Sequence, residues 1–172
     1  MKKTIYLFFL FSISCNLFGQ TDNLFIEETK KYVIEIDSIN KLDSHNSNYV
    51  KSIADGIIER NDGVVGGYGI ETLSNRARDS VYRIEYNGGI DLYTSKTYYY
   101  KSNKLVYAIF EISDFKNKQG TLYLIEEFYR EKKKIYALIK VNKLTAENRN
   151  EAKVSLLDDG AEFINNELSN SR

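Results

Sequence analysis

Residues 100–110, YKSNKLVYAIF, decide the fold of this chain. The same pattern of tyrosine, basic residue, polar turn and apolar run returns at residues 129–139 as YREKKKIYALI. In both copies a short polar turn separates two segments in which apolar and polar side chains tend to alternate, and this is typical of a β-hairpin. The sequence therefore predicts one hairpin that is used twice, as in an antiparallel meander.

Alternation of the same kind predicts about six strands. They cover Val64–Leu73, Val81–Tyr86, Leu92–Lys101, Lys104–Ile112, Thr121–Arg130 and Lys134–Asn142. The polar segments between them are too short for a parallel crossover, which needs a dozen or more residues, so neighbouring strands should be antiparallel.

Helical spacing of apolar residues predicts an N-terminal helix over Asp22–Asp43, in which Glu27/Lys31 and Asp37/Lys41 would form i,i+4 ion pairs. A second, short helix is expected around Val50–Ile57. A C-terminal helical segment follows over Ala146–Leu168, with a potential break at Asp159-Gly160. The predicted fold is α+β: an N-terminal helix, a twisted antiparallel meander of about six strands and a C-terminal helical segment.

The hairpin segment 98–106, YYYKSNKLV, resembles the Tyr-Tyr-Phe-x-x-Gly-Lys-Leu-Ile hairpin of small, uncharacterised exported bacterial proteins. These proteins have an N-terminal helix followed by a β-hairpin meander, and they are distantly similar to MORN-type β-repeats. Asn103 stands where that pattern has Gly, and Asn tolerates the same left-handed turn geometry. The resemblance extends over Ile36–Ile139. It implies this fold and an envelope location, and it assigns no catalytic residue.

Uninterrupted pairing outward from the turn at Ser102-Asn103 sets Tyr100 opposite Leu105 and Tyr98 opposite Tyr107. Continued along the strands, this alternation predicts a core face and a tyrosine face. The core face would hold Tyr99, Val106, Ala108, Phe110, Ile112, Leu122, Leu124, Phe128, Ile135, Ala137, Ile139 and Val141, with Glu126 as an exception. The tyrosine face would hold Tyr98, Tyr100, Tyr107, Tyr123, Tyr129 and Tyr136.

The six tyrosines are the predicted binding residues. A phenol ring combines a large apolar surface with a polar hydroxyl, which suits contacts with a protein, a peptide or a glycan. The alternative is that tyrosine is present for its β-propensity and its cross-strand pairing.

Composition excludes several kinds of chemistry. The 172 residues include one His and one Cys, which cannot supply a conventional zinc site or a disulfide. Lys plus Arg and Asp plus Glu number 24 each, which argues against a nucleic-acid binder. Residues 63–69, GVVGGYG, lack the Gly-Lys-Ser/Thr of a phosphate-binding loop, and His45 sits in a polar loop as a solvated residue. No cofactor and no metal site are expected.

Residues 1–19 have the layout of a secretory signal: Lys2 and Lys3, then an apolar stretch, then polar residues from Gln20. Two processing routes remain open, namely cleavage after Gly19 and lipidation at Cys15. Residues 20–172 should then form a single α+β domain without a transmembrane segment, either periplasmic or extracellular, or held at a membrane as a lipoprotein.

The sequence favours a non-enzymatic exported binding module that uses the tyrosine face or a sheet edge, because no nucleophile–base constellation is visible. The alternative is a small-ligand carrier or a carboxylate-based hydrolase with a pocket between sheet and helices. In that case Glu126 or Glu127 would be the acid, although neighbours on a strand point to opposite faces and cannot act as a pair. An accessory subunit of an envelope complex is a third option.

Overall fold

The computed structural model describes residues 2–42, 48–114, 120–142 and 154–170, with side chains from Thr21 onward. These residues form two helices and seven strands. In chain order the elements are α1 (Lys2–Lys41), β1 (Tyr49–Glu59), β2 (Val65–Asn75), β3 (Val81–Gly89), β4 (Tyr93–Lys101), β5 (Lys104–Asp114), β6 (Gly120–Arg130), β7 (Lys133–Val141) and α2 (Leu156–Asn170). The α+β architecture predicted from the sequence is confirmed.

The chain divides into two compact units, Met1–Glu35 and Ile36–Arg172. The first unit is helical from Lys2, and in it the ammonium of Lys30 lies 2.9 Å from Glu27. Glu27 therefore forms an i,i+3 ion pair with Lys30 instead of the predicted i,i+4 pair with Lys31. The second unit contains the last turns of α1, the sheet and α2.

The strands of the described sheet follow one another in sequence order, each antiparallel to the next, with β1 and β7 at the two edges. The short helix predicted around Val50–Ile57 is wrong, because this segment lies within β1 and pairs with β2 along its length. The β-branched side chains of Val50, Ile53 and Ile57 favour extended backbone, and Gly56 weakens a helix. The ladder with β2 then satisfies the backbone groups.

The two repeated hairpins share one turn geometry. Ser102 and Asn103 have φ values of 52° and 58°, and Glu131 and Lys132 have values of 51° and 64°. Two consecutive residues with positive φ are the mark of a type I′ turn, whose twist matches that of the strands it joins. The predicted pair beside the first turn, Tyr100 opposite Leu105, is confirmed.

Beyond that pair, each hairpin carries a β-bulge. In the first, Tyr100 pairs with Leu105 but Tyr99 pairs with Tyr107, so Val106 is an extra residue. One extra residue reverses the alternation of every pair beyond it. As a result Tyr98 lies opposite Ala108 and not opposite Tyr107.

The second hairpin repeats this bulge at the equivalent place. Tyr129 pairs with Lys134 and Phe128 pairs with Tyr136, which leaves Ile135 as the extra residue. The internal repeat is therefore a repeated bulged hairpin, which the sequence alone does not reveal.

The predicted face assignment is wrong because of these bulges. Tyr98, Tyr100, Tyr123 and Tyr129 lie on the face that α2 covers, together with Ala108, Phe110, Ile112 and Ile125. Tyr107 and Tyr136 lie on the opposite face, together with Tyr99, Leu124, Glu126 and Phe128. The core beneath α2 therefore mixes phenol rings with aliphatic groups.

Helix α2 starts at Leu156, where the Asp159 amide donates to the Ser155 carbonyl oxygen over 3.0 Å. It continues through Asp159-Gly160, so the predicted break is absent from this described helix. Leu156 and Ile164 pack into the core. Residues 146–153 of the predicted C-terminal segment lie outside the described residues.

Gly160 sets how closely α2 approaches the sheet. A Cβ atom at this position would lie 2.9 Å from Cδ1 of Tyr98 and 3.1 Å from Cδ2 of Leu105, which is closer than carbon atoms normally pack. Tyr98 is fully buried and its hydroxyl is hydrogen-bonded to Asp159, so its ring cannot move aside without loss of that bond.

We therefore predict that Gly160→Ala destabilises the fold, although alanine favours helices. Overpacking costs about 1–3 kcal/mol and the helix gains about 1 kcal/mol, so the free energy of unfolding should fall by as much as about 2 kcal/mol. Urea denaturation followed by circular dichroism measures this change. Gly69→Ala is the matched control, because no atom lies within 4 Å of the added Cβ. A Gly160→Ala protein more stable than the parent by about 1 kcal/mol, the gain from helix propensity alone, would contradict the close contact.

Candidate functional site

The structure places most of the predicted binding tyrosines in the interior. Their exposed fractions are 0% for Tyr98 and Tyr100, 1% for Tyr129, 7% for Tyr107, 8% for Tyr123 and 45% for Tyr136. The six rings are split between two faces, and five of them are buried, so they form no common exposed surface. Tyr136, on β7, is the one of the six with a half-exposed ring.

Two of the buried tyrosines attach α2 to β4. The Tyr98 hydroxyl donates to Oδ2 of Asp159, and the ammonium of Lys96 lies 2.7 Å from the same oxygen. The Tyr100 hydroxyl donates to the Gly160 carbonyl oxygen over 2.7 Å. Burial, and then the hydrogen bond to Asp159, raise the pKa of Tyr98 well above its usual value. This arrangement, which we call the α2 anchor (Lys96, Tyr98, Tyr100, Asp159 and Gly160), is structural.

The two adjacent glutamates of β6 lie on opposite faces, as predicted. Glu127, 6% exposed, accepts a hydrogen bond from the Tyr129 hydroxyl and lies 2.7 Å from the ammonium of Lys134. Glu126 accepts a hydrogen bond from the Tyr107 hydroxyl over 2.8 Å. Each carboxylate thus has a phenol partner of its own, and the two do not share a site.

An ion cluster that the sequence does not predict surrounds Arg83, which is only 9% exposed. Its Nη1 atom lies 3.2 Å from Glu71, its Nη2 atom pairs with Glu85, and its Nε atom lies 3.3 Å from Asp37. The Tyr99 hydroxyl donates to Asp37 over 2.9 Å, and its ring centroid lies 5.9 Å from the guanidinium carbon.

This Arg83 cluster joins α1 to β2, β3 and β4. Asp37 is used here and not in the i,i+4 pair with Lys41 that helical spacing suggests. Partners from four elements leave no spacing signal in a sequence, so only the fold could reveal the cluster. Among the residues that the structure describes, no group of His, Cys, Asp or Glu is arranged to hold a metal ion.

Strand β7 is the most exposed apolar segment of the described sheet outside β1. Tyr136, Ile139 and Val141 are 45%, 55% and 58% exposed. Among the described strands β7 pairs with β6 alone, so its outer edge has no strand beside it. The register places Lys133 and Lys140 on the face of Tyr136, opposite the face of Ile139 and Val141.

Cavities lie between α2 and the sheet. One, of about 320 Å³, is lined by residues that include Ser52, Thr72, Arg78 and Glu167. Another, of about 330 Å³, lies where the two hairpin turns approach α2. Glu126 and Glu127 line neither of them.

Other sequence predictions concern residues with little or no described structure. His45 lies outside the described residues, and Cys15 is within α1 with no described side chain. Of the helices that the structure describes, neither is apolar over enough of its length to cross a bilayer.

The buried phenols generate a pH prediction. Burial raises the pKa of Tyr98, Tyr99, Tyr100, Tyr107 and Tyr129 well above the usual value near 10. Their stabilising effect is therefore fully present below pH 10. It is lost as the pH rises further, because only the unfolded chain then ionises. Above pH 10, each of these tyrosines should lower the free energy of unfolding by about 1.4 kcal/mol for every unit of pH.

An alkaline titration tests this prediction, with tyrosinate absorbance and circular dichroism recorded on the same samples. We expect these five phenols to ionise together with the cooperative loss of β-structure. Gradual ionisation of all tyrosines while the sheet remains intact would contradict their burial.

Comparison of the chain with protein-family models, curated protein sequences and solved structures gives no match. The resemblance to exported hairpin proteins therefore stays a prediction.

Proposed function

We propose that this chain is an exported, non-enzymatic binding module that holds an extended polypeptide segment along β7. The observation that supports this function is the exposure of β7: it is an edge strand whose apolar side chains are accessible on both faces. An added strand would gain main-chain hydrogen bonds from the edge, and pockets between alternate side chains would give specificity.

The other edge is less suitable. Strand β1 also exposes apolar groups, with Ile53 and Ile57 at 74% and 75%. Its centre, however, contains Asp55-Gly56, and glycine provides no side chain for an added strand to pack against. Strand β7 has no glycine, and its β-branched and aromatic residues favour extended pairing.

Charge defines the partner. Lys133 and Lys140 lie on one face of β7, and the apolar Ile139 and Val141 lie on the other. A complementary strand would therefore alternate acidic and apolar residues, with its carboxylates toward the lysines. A second copy fits poorly, since antiparallel self-pairing centred on Ala137, with Ile135 bulged as it is against β6, sets Lys133 against Lys140.

The proposed function includes export of the chain. The signal-like segment at residues 1–19 directs the chain to the periplasm or the exterior, where the partner is an envelope polypeptide. Cleavage after Gly19 and lipidation at Cys15 differ in mass, so intact mass spectrometry of the protein recovered from cells separates them.

The alternative of a small-ligand carrier has its support in the cavities between α2 and the sheet. Hydrolysis by Glu126 or Glu127 has less structural support. Neither residue lines those cavities, and the carboxylate of each accepts a hydrogen bond from a tyrosine hydroxyl.

A labelled nine-residue peptide that alternates valine and glutamate tests peptide capture by fluorescence anisotropy. We predict saturable binding that is about five- to tenfold weaker for Lys133→Gln/Lys140→Gln at low salt, because two exposed charge pairs are lost. N-methylation of alternate peptide residues should abolish binding, because it removes the main-chain donors.

Two matched controls should bind like the parent. Ile53→Ser/Ile57→Ser changes the opposite edge, and Lys51→Gln/Arg76→Gln removes an equal charge at that same edge, away from β7. Equal binding of the N-methylated and unmodified peptides would overturn the strand-addition mechanism.

A further inference from the structure

The cavity of about 330 Å³ has an apolar floor. Tyr100, Leu105, Leu157 and Ile164 line it, and all four belong to the core beneath α2 or pack against it. Its volume is at the small end of the range for ligand pockets. An occupant would therefore be a short apolar body rather than a long chain.

The polar part of this cavity is basic. Lys104 follows the first hairpin turn and Lys132 lies in the second, so the repeated hairpin supplies one ammonium group from each copy. Asp158 is the one carboxylate among the described residues that line the cavity. Two cations and one anion leave a net charge of 2 − 1 = +1, which a monovalent anion would balance.

The walls are held in place by bonds that involve no ligand. The Asn103 side chain accepts from the Val81 amide over 2.9 Å and donates to the Asp79 carbonyl oxygen over 2.7 Å. The Tyr100 ring is fixed by the α2 anchor. A cavity formed before binding avoids the cost of ordering its walls.

We propose that this cavity binds a small amphipathic carboxylate, such as a medium-chain fatty acid. The hydrocarbon chain would lie on the floor formed by Leu105, Leu157 and Ile164. The carboxylate would lie between Lys104 and Lys132. This site is separate from β7, so it neither requires nor supports peptide capture.

Isothermal titration calorimetry with hexanoate, octanoate and octanol tests the proposal. Octanoate should bind saturably, and it should bind roughly tenfold more tightly than hexanoate because two more methylene groups are buried. Octanol, which lacks the charge, should bind at least tenfold more weakly than octanoate. No saturable octanoate binding at millimolar concentration, or equal affinity for octanol, would overturn the proposal.

Variants locate the site. Lys104→Gln/Lys132→Gln should weaken octanoate binding at least tenfold, while Lys133→Gln/Lys140→Gln should leave it unchanged. Ala161→Phe fills the cavity from an exposed position on α2, so it should abolish binding without loss of the circular dichroism of the fold. Unchanged octanoate affinity in both the lysine pair and Ala161→Phe would show that the ligand binds elsewhere, which contradicts the assignment.

Discussion

Two buried phenol hydroxyls attach α2 to β4 and so hold the helix over the core of the second unit. Buried hydroxyls need acceptors, and Asp159 and the Gly160 carbonyl provide them for Tyr98 and Tyr100. The missing Cβ of Gly160 allows the helix to come close enough for both bonds. Helix α2 is thereby fixed over the middle of the sheet, with contacts to β3 and β5, and β7 remains exposed at the edge.

Much of this fold can be predicted from the sequence, because hairpins and helices are local. The repeated YKSNKLVYAIF pattern predicts a short turn at Ser102-Asn103, the antiparallel order and the pair beside the turn, all of which the structure confirms. The bulges could not be predicted. Val106 and Ile135 are apolar like the residues around them, so nothing in the alternation marks them as extra. In each hairpin this extra residue places the side chains that follow it on the face opposite to the predicted one.

The candidate sites show the same limit. Once the faces are exchanged, the phenols that suggested a binding surface become core residues, and among the six only Tyr136 keeps a half-exposed ring. A sheet edge is predictable from a meander, because the last strand has one neighbour. The exposure of apolar side chains on both faces of β7 is not predictable from the sequence, because it depends on where α2 lies. The Arg83 cluster and the cavity beside the hairpin turns unite residues from distant segments, which no spacing in the sequence connects.

A double-mutant cycle between Tyr98 and Asp159 tests the α2 anchor most directly. The free energy of unfolding is measured for the parent, Tyr98→Phe, Asp159→Ala and the double variant by urea denaturation at neutral pH. The anchor predicts a coupling free energy of at least about 1 kcal/mol, as expected for a partly buried hydrogen bond to a carboxylate. Effects that add within about 0.3 kcal/mol would show that the two side chains do not interact, and would contradict this account of how α2 is held.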